Sequence, residues 1–287
     1  MLLCCAGSKI PGSLHRSLER MQLAVPRRQI LASAPWTGFA LVVALLSVWE
    51  LTVASGMVRS ESWPALSRVL VSLQEGFQRE GWLEIFGSTL YRMACGFSIA
   101  AALGTAAGLA MGASSLVYRT FMPTVEIFRV LPIPAVVPPL IFFLGVDDPL
   151  KITVIALAAF FPIALNTFAG VRAVDPVHLL IARTFRVPRR KVLLGIQLPS
   201  ALPYVLAGCR ISLGISFIVT VVTEMVAGSE GVGYFIVSMQ YAMRADDMYA
   251  AIILLSAIGY LLNRAFLGLE ARAIHWAREL DARGRNA

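Results

Sequence analysis

The chain has few charged residues and lacks the side-chain clusters that enzymes use for catalysis. Only 15% of its 287 residues are Asp, Glu, Lys or Arg, whereas about a quarter of a soluble domain is charged. Its three histidines lie outside the apolar runs and share no ligand spacing with cysteine or carboxylate side chains, so we expect no metal site. A Gly-x-Ser-x-Gly nucleophile elbow is also missing. We therefore expect no catalytic residue.

Sequence signals for ATP binding, disulfides and secretion are missing as well. There is no Gly-x4-Gly-Lys-Ser/Thr phosphate loop, so we expect no cofactor on this chain and any ATP that drives it on another subunit. The four cysteines form no disulfide framework, because Cys4 and Cys5 are adjacent and Cys95 and Cys209 lie in apolar runs. The basic N-terminal segment does not lead into an apolar run with a small-residue cleavage site, so we expect no removable signal peptide.

What the chain does have is long apolar runs. Hydrophobic residues make up 57% of it, and the mean hydropathy is +0.73. Several runs reach the length that a helix needs to cross a bilayer, which is about 20 residues. These features predict an all-α, polytopic membrane bundle in contact with lipid. We expect six transmembrane helices, at 36–58, 86–112, 130–146, 152–171, 203–226 and 248–266.

Basic residues predict the orientation of the bundle, because Lys and Arg are retained on the cytoplasmic side. They are concentrated before the first span, in the segment 172–202 and after the last span, whereas the other long connections are acidic. Both termini and the basic segment are therefore predicted to be cytoplasmic. The net charge of +8 is explained by this retention of basic residues on the cytoplasmic side, so we expect no nucleic-acid partner.

These assignments give a domain organisation. The predicted parts are a cytoplasmic tail (1–35), the first span (36–58), an external loop (59–81), a five-helix body (82–267) and a cytoplasmic tail (268–287). In the external loop, apolar residues from Leu66 to Phe77 recur at helical spacing, which predicts a short amphipathic helix on the outer surface.

Two predicted spans are rich in glycine or proline, residues that change how a helix packs or bends. The second has Gly104, Gly108 and Gly112 at four-residue spacing, preceded by Gly96, which predicts close packing against another helix. The third is rich in proline and cannot be a regular helix throughout. Its prolines line a pathway or belong to a kinked packing helix, and Pro134 and Pro138 are the candidate pathway residues.

Ionisable and polar residues inside the spans are candidates for function, because they are costly in lipid. Glu50, Arg92 and Arg210 are interpreted as lying near span ends, with their charges reaching the interface. Glu224, which precedes a glycine-rich exit, is a candidate gate or half of a structural pair. Asn166 lines a path or forms an interhelical hydrogen bond.

The basic segment has the composition of a folded knob. Asp175-Pro176 breaks the preceding helix, and Val187-Pro188 begins another, since proline suits the first helical position. Leu198-Pro199 and Leu202-Pro203 are expected to end that second helix. Two short helices at an angle, with Phe185 near the turn, would fit a cleft on a soluble partner. The residues alone are equally consistent with an ordinary basic loop.

The segment resembles the cytoplasmic Glu-Ala-Ala signature of ABC importer permeases. Ala182 matches its second alanine, and Ile196-Gln197-Leu198-Pro199 matches its Ile-x-Leu-Pro end. Leu180 stands where the family has glutamate, and Arg186 where it has glycine, so the turn must form at an arginine. Other segments resemble the permeases for sulfonates, taurine, nitrate or bicarbonate, and the similarity extends from about Trp82 to Phe266: Ser88 to Arg92, Gly96-Phe97, Leu131 to Pro134, Phe160 to Pro162, Asn166-Thr167, Val174-Asp175, Glu224-Met225 and Gly231 to Tyr234.

The resemblance implies a type-I permease of the bacterial inner membrane, which transports a small anionic solute. It implies a permease homodimer, cytoplasmic ATPase subunits that bind ATP, and an external solute-binding protein. The residues implied in ATPase coupling are Ala182, Arg183, Thr184, Phe185, Arg186, Val187, Ile196, Leu198 and Pro199.

Two other classes of membrane protein compete with this interpretation. An ion-driven secondary transporter should have intramembrane carboxylates and repeated halves, but we find no internal repeat and few such carboxylates. A membrane enzyme should have polar catalytic clusters at span ends, which are missing.

Overall fold

The computed structural model describes residues 35–57, 60, 62–79 and 81–274, and these form helices without any β-strand. Most of both predicted cytoplasmic tails lies outside these ranges.

The chain divides into two compact units, with the boundary between Val58 and Arg59. The first unit contains helix α1, Pro35–Ala54. Its apolar side chains are largely exposed, as in a helix that faces lipid (Phe39 64%, Leu41 62%, Leu45 62%, Leu51 66%).

The second unit contains the remaining helices. They are α2 (Leu66–Arg79), α3 (Trp82–Ala113), α4 (Ser115–Phe128), α5 (Ile133–Leu144), α6 (Asp148–Arg172), α7 (Pro176–Thr184), α8 (Arg189–Val192), a π-helical turn (Leu193–Gln197), α9 (Leu198–Ala227), α10 (Val232–Tyr241) and α11 (Ala245–Ala273).

Among the residues that the structure describes, four helices are long and apolar enough to cross a membrane, namely α3, α6, α11 and the continuous helix Arg189–Ala227. They contain the predicted second, fourth, sixth and fifth spans. The count rises to five if α4 and α5 form one broken span. The total of six, which needs α1 as well, and the cytoplasmic side of the termini stay predictions.

The third predicted span, 130–146, contains helix α5, which is shorter than the prediction and is preceded by a sharp break. Helices α4 and α5 meet at 100°, and the break falls just before Ile133. Pro132 explains it, because proline disfavours a helical conformation in the residue before it, here Leu131. Helix α5 has only 12 residues, or about 18 Å at the usual helical rise, and is too short to cross alone.

The core is the packing of α6 against α3 on one side and α9 on the other. The glycines of α3 face α6: a Cβ added at Gly96 would lie 2.7 Å from the Ile155 side chain, and one at Gly108 would lie 2.5 Å from the Ala164 carbonyl oxygen. The predicted glycine packing is confirmed. On the other side of α6, the Ser212 hydroxyl donates to the Ala159 carbonyl at 2.7 Å.

Helix α2 is present where an amphipathic helix was predicted, but it packs against α11 and belongs to the second unit. Its buried positions include Val69 and Ser72, and the Ser72 hydroxyl donates to the Asp247 carboxylate. Leu70 and Phe77 of the predicted apolar stripe stay 54% and 46% exposed. The hydroxyl at position 72 has a carboxylate partner on α11, and periodicity does not detect such a pairing.

Candidate functional site

One end of the bundle holds an ionic cluster in which Arg92 and Glu224 are buried and Asp148 and Glu230 are partly or largely exposed. Arg92 on α3 donates through Nε to Asp148 at 2.6 Å, through Nη1 to Glu224 at 3.0 Å and through Nη2 to Glu230 at 3.3 Å. The Arg92 and Glu224 side chains are only 3% and 0% exposed. The interpretation that Arg92 reaches the interface is therefore wrong. Its charge is neutralised inside the protein by residues on α6, α9 and the loop after α9.

Glu224 also holds the glycine-rich segment after α9. Its carboxylate accepts from the Thr89 hydroxyl at 3.0 Å and from the Gly233 amide at 3.1 Å. The Val232 amide in turn donates to the Thr89 hydroxyl at 2.9 Å. Gly231 has a φ of 99° and lies directly against the carboxylate, so only glycine fits there. Two roles were predicted for Glu224. The structural ion pair is present, with Arg92 as the partner, and the role as a gate stays a prediction.

The other predicted pathway residues do not join this cluster. Asn166 is half-buried on α6, and its amide donates to the Pro162 carbonyl of its own helix at 2.8 Å. Pro134 and Pro138 are exposed one turn apart on α5. The polar residue Lys151 on α6 is buried as well. The sequence reasoning did not single it out.

The basic segment forms the predicted turn, which we call the elbow, residues 182–187. Helix α7 ends at Thr184, and Arg186 adopts the left-handed conformation with a φ of 50°. The Val187 amide donates to the Ala182 carbonyl at 2.9 Å, and the Arg186 amide to the Arg183 carbonyl at 3.0 Å. These two bonds define a Schellman cap, in which glycine usually occupies the left-handed position. The elbow is therefore kept although the glycine is replaced.

The helix after the elbow is longer than predicted. It begins at Arg189, after Pro188, and continues without a break to Ala227. The expectation that Leu198-Pro199 and Leu202-Pro203 end it is wrong, because Pro203 also lies inside this helix. Pro199 has no amide to donate, and the π-helical turn directly before it, which includes Ile196, absorbs the mismatch. Ile196 and Leu198 are half-buried there, while Pro199 is exposed.

The chain that leads into the elbow is fixed at the end of α6 by contacts with aromatic rings. Arg172, the last residue of α6, places its guanidinium 5.5 Å from the Tyr118 ring and 5.6 Å from the Phe168 ring. These rings stack with centroids 4.9 Å apart. Cation–π contacts of this kind fix the end of α6 against α4. The elbow is thus held between two long helices.

Helix α7 has an exposed apolar face. Val177, Leu180, Ile181 and Phe185 recur at helical spacing and are 56%, 64%, 49% and 76% exposed, while Ala182 behind them is buried. Leu180, at the position of the family's glutamate, extends this face instead of supplying a charge. Contiguous exposed apolar side chains beside basic residues are typical of a docking surface.

The left-handed arginine leads to a prediction about stability. The left-handed conformation costs a residue with a Cβ about 1–2 kcal/mol, whereas glycine costs about 0.5–1 kcal/mol in chain entropy. Arg186→Gly should therefore stabilise the protein by about 0.5–1 kcal/mol. The thermal midpoint in detergent would measure it.

Met243 provides the matched control for this substitution. It is the other described non-glycine residue in the left-handed region, with a φ of 58°, and it caps α10 in the same way. Met243→Gly should raise the midpoint by a similar amount without touching the elbow. A lower midpoint for Arg186→Gly alone would mean that the guanidinium makes a contact that outweighs the strain.

Residues 98–275, more than half of the chain, match the family described as "Binding-protein-dependent transport system inner membrane component". The chain belongs to this family. It is 32% identical over 247 residues to the putative aliphatic sulfonates transport permease protein SsuC of Bacillus subtilis (strain 168), covering 85% of this chain and 88% of SsuC.

Other relatives agree with this assignment. The permease is 29% identical over 245 residues to the taurine transport system permease protein TauC of Escherichia coli (strain K12), covering 84% and 89% of the two chains. Its fold is similar to a chain of the inward-facing MetNI methionine ABC transporter, with a TM-score of 0.59 and 18% identity, covering 64% of this chain and 92% of that one.

The predicted resemblance to ABC importer permeases is confirmed. The protein is a multi-pass permease subunit of the inner membrane, and it acts as a transport component and not as an enzyme. The matched region extends a few residues beyond the predicted end of the body at 267, in line with helix α11, which runs to Ala273.

Proposed function

We propose that two copies of this permease form the membrane pathway of an importer for a small anionic solute, such as a sulfonate, taurine or nitrate. Separate ATPase subunits bind ATP and dock at the elbow, and an external binding protein delivers the solute. The names of SsuC and TauC support the sulfonate class. The observation that carries the docking site is the exposed apolar face of α7, which ends in Phe185 at 76% exposure.

The helix after the elbow supplies the mechanical link. Residues Arg189–Ala227 form one helix of 39 residues, which is about 58 Å long at the usual rise. One end begins beside the elbow, and the other carries Glu224 in the ionic cluster. A displacement of the elbow by ATPase closure would therefore move the far end of the bundle. This is the lever that alternating access needs, and the permease itself breaks no bond.

The departure at Leu180 changes the chemistry of docking but does not remove it. Glutamate at this position would offer a charge to the ATPase. Here an apolar side chain, 64% exposed, lies beside Arg183 in a shallow cleft of about 370 Å³. The matching surface of the ATPase should accordingly be apolar and ringed by acidic residues.

The test of this proposal is Phe185→Ala in the complete transporter. Phe185 is largely exposed in this chain, so its loss should leave the bundle folded. In the docked complex its ring would be buried, and a buried aromatic anchor at a protein interface commonly contributes about 2 kcal/mol or more, roughly thirtyfold in affinity. Solute uptake and ATPase binding should both fall by about tenfold or more. Phe142→Ala on α5, where the ring is 89% exposed, is the matched control and should dock normally. Full uptake with normal ATPase binding by Phe185→Ala would overturn the docking site.

A further inference from the structure

Arg210 lies near the middle of the membrane-spanning bundle and not at its edge. Helix α9 runs antiparallel to α6, with Gly208 against the Pro162 carbonyl and Ser212 bonded to the Ala159 carbonyl. Helix α6 extends over Asp148–Arg172, so its centre is near residue 160. Arg210, between these two contacts, is level with that centre. The interpretation that Arg210 reaches the interface from a span end is therefore wrong.

The guanidinium of Arg210 is shared by two successive clefts between α9 and α11. One cleft, of about 240 Å³, is lined by Arg210, Phe217 and Asn263 among others. The other lies nearer the elbow end of α9, and we call it the inner cleft. It has a volume of about 360 Å³ and is lined by Arg210, Asn263 and Glu270 among others. Arg210 and Asn263 are the polar side chains common to both. They lie where the two clefts adjoin.

Arg210 has no ion pair or side-chain hydrogen bond with the described part of the chain, and its side chain is exposed. Across the inner cleft, Glu270 has a buried Oε2 that also lacks a hydrogen-bond partner in that part. An unpaired guanidinium at mid-membrane is costly, and such residues generally mark a substrate or ion path. Its planar fork of donors matches the oxygens of a sulfonate or another oxyanion.

We propose that Arg210, together with the amide of Asn263, is the contact that carries the transported oxyanion or sulfonate past the middle of the permease. This rests on the proposed function for the class of solute. Glu270 would repel the anion once it enters the inner cleft and would take its place beside Arg210. The contact therefore binds transiently, as a transport path requires.

The proposal can be tested with charged thiol reagents on the full chain in membranes. In a variant without the four native cysteines, Asn263→Cys would be treated with an ethylsulfonate methanethiosulfonate and with its trimethylammonium analogue. With Arg210 present, the sulfonate reagent should react faster relative to the cationic one. Arg210→Gln should lower that rate ratio by about tenfold, since a nearby cation attracts an anionic reagent and repels a cationic one. Arg210→Lys should keep most of it.

Leu261→Cys is the matched control, because Leu261 lies two residues away on another face of α11 and is 63% exposed. It should react with neither reagent. The proposal is overturned if a folded Asn263→Cys variant reacts with neither reagent, as it would if the groove faced lipid or were closed by a second copy. It is equally overturned if Arg210→Gln leaves the rate ratio unchanged.

The reagents report on the cleft without ATP, ATPase subunits or a binding protein. A positive result in a protein that imports neither sulfonates nor nitrate would sink the proposed function and leave the anion contact intact. Normal sulfonate uptake by Arg210→Gln, with an unchanged rate ratio, would sink the contact and leave the proposed function intact.

Discussion

Arg92→Ala will destabilise the permease by about 3–5 kcal/mol, the usual cost of removing one partner from a buried ion pair. The substitution leaves the Glu224 carboxylate, which is 0% exposed and 3.0 Å from Arg92 in the native protein, without its cation. It also frees Asp148 and the loop that carries Glu230. Thermal or denaturant unfolding in detergent will show the loss as a lower midpoint.

Two further variants separate the charge from the packing. Glu230 is 73% exposed and pairs with Arg92 at 3.3 Å, so Glu230→Gln should cost less than about 1 kcal/mol. Replacing both Arg92 and Glu224 with methionine removes the charges together and should recover much of the loss. The comparison needs the two matching single variants, Arg92→Met and Glu224→Met. If the loss of stability in the double variant equals the sum of their losses, Arg92 and Glu224 do not act as a pair.

The cluster also has a consequence for transport. It ties α3, α6 and α9 to the glycine-rich segment through Thr89 and Glu224. The predicted topology places this end on the external side, while the elbow lies at the other end of the same long helix. In the proposed mechanism, the buried ion pair of Arg92 and Glu224 attaches the far end of the long helix to α3.

The sequence was sufficient for the long helices and for the elbow. Apolar runs located the second and fourth spans to within about four residues at each end, because a membrane helix needs an uninterrupted apolar length. The fifth and sixth spans were also located, but their helices extend well beyond the predicted bounds. The four-residue glycine spacing on α3 predicted its contact with α6, since a stripe of small residues has few other uses in a membrane. Arg186 takes the left-handed turn that the resemblance placed there.

The sequence was not sufficient where residues far apart in the chain meet. Arg92 and Arg210 look alike in a linear window, as single charges within apolar runs. In the folded protein, Arg92 pairs with three carboxylates, whereas Arg210 lines two clefts. One signal was available: alternating helix directions place Arg92, Asp148 and Glu224 at the same end of the bundle. The break at Pro132 and the continuous helix through Pro199 depend on local backbone adjustments that proline spacing does not specify.

The same substitution at two glycines of α3 should have opposite effects. At Gly108, an added Cβ would lie 2.5 Å from the Ala164 carbonyl oxygen and 2.5 Å from the Thr167 Cβ, whereas at Gly87 it would meet nothing within 4 Å. Gly108→Ala should destabilise the protein by about 1–3 kcal/mol, because α3 and α6 must separate. Gly87→Ala should stabilise it by up to about 1 kcal/mol, because alanine favours the helix more than glycine does.

This pair of variants tests whether α3 and α6 move as one body during transport. Thermal midpoints in detergent give the stability difference, and uptake by the complete transporter gives the functional one. If both substitutions raise the midpoint, the two helices do not pack at the distance that the structure gives. If Gly108→Ala lowers the midpoint but leaves uptake per folded transporter unchanged, the contact serves stability alone, and the motion driven from the elbow passes through α9.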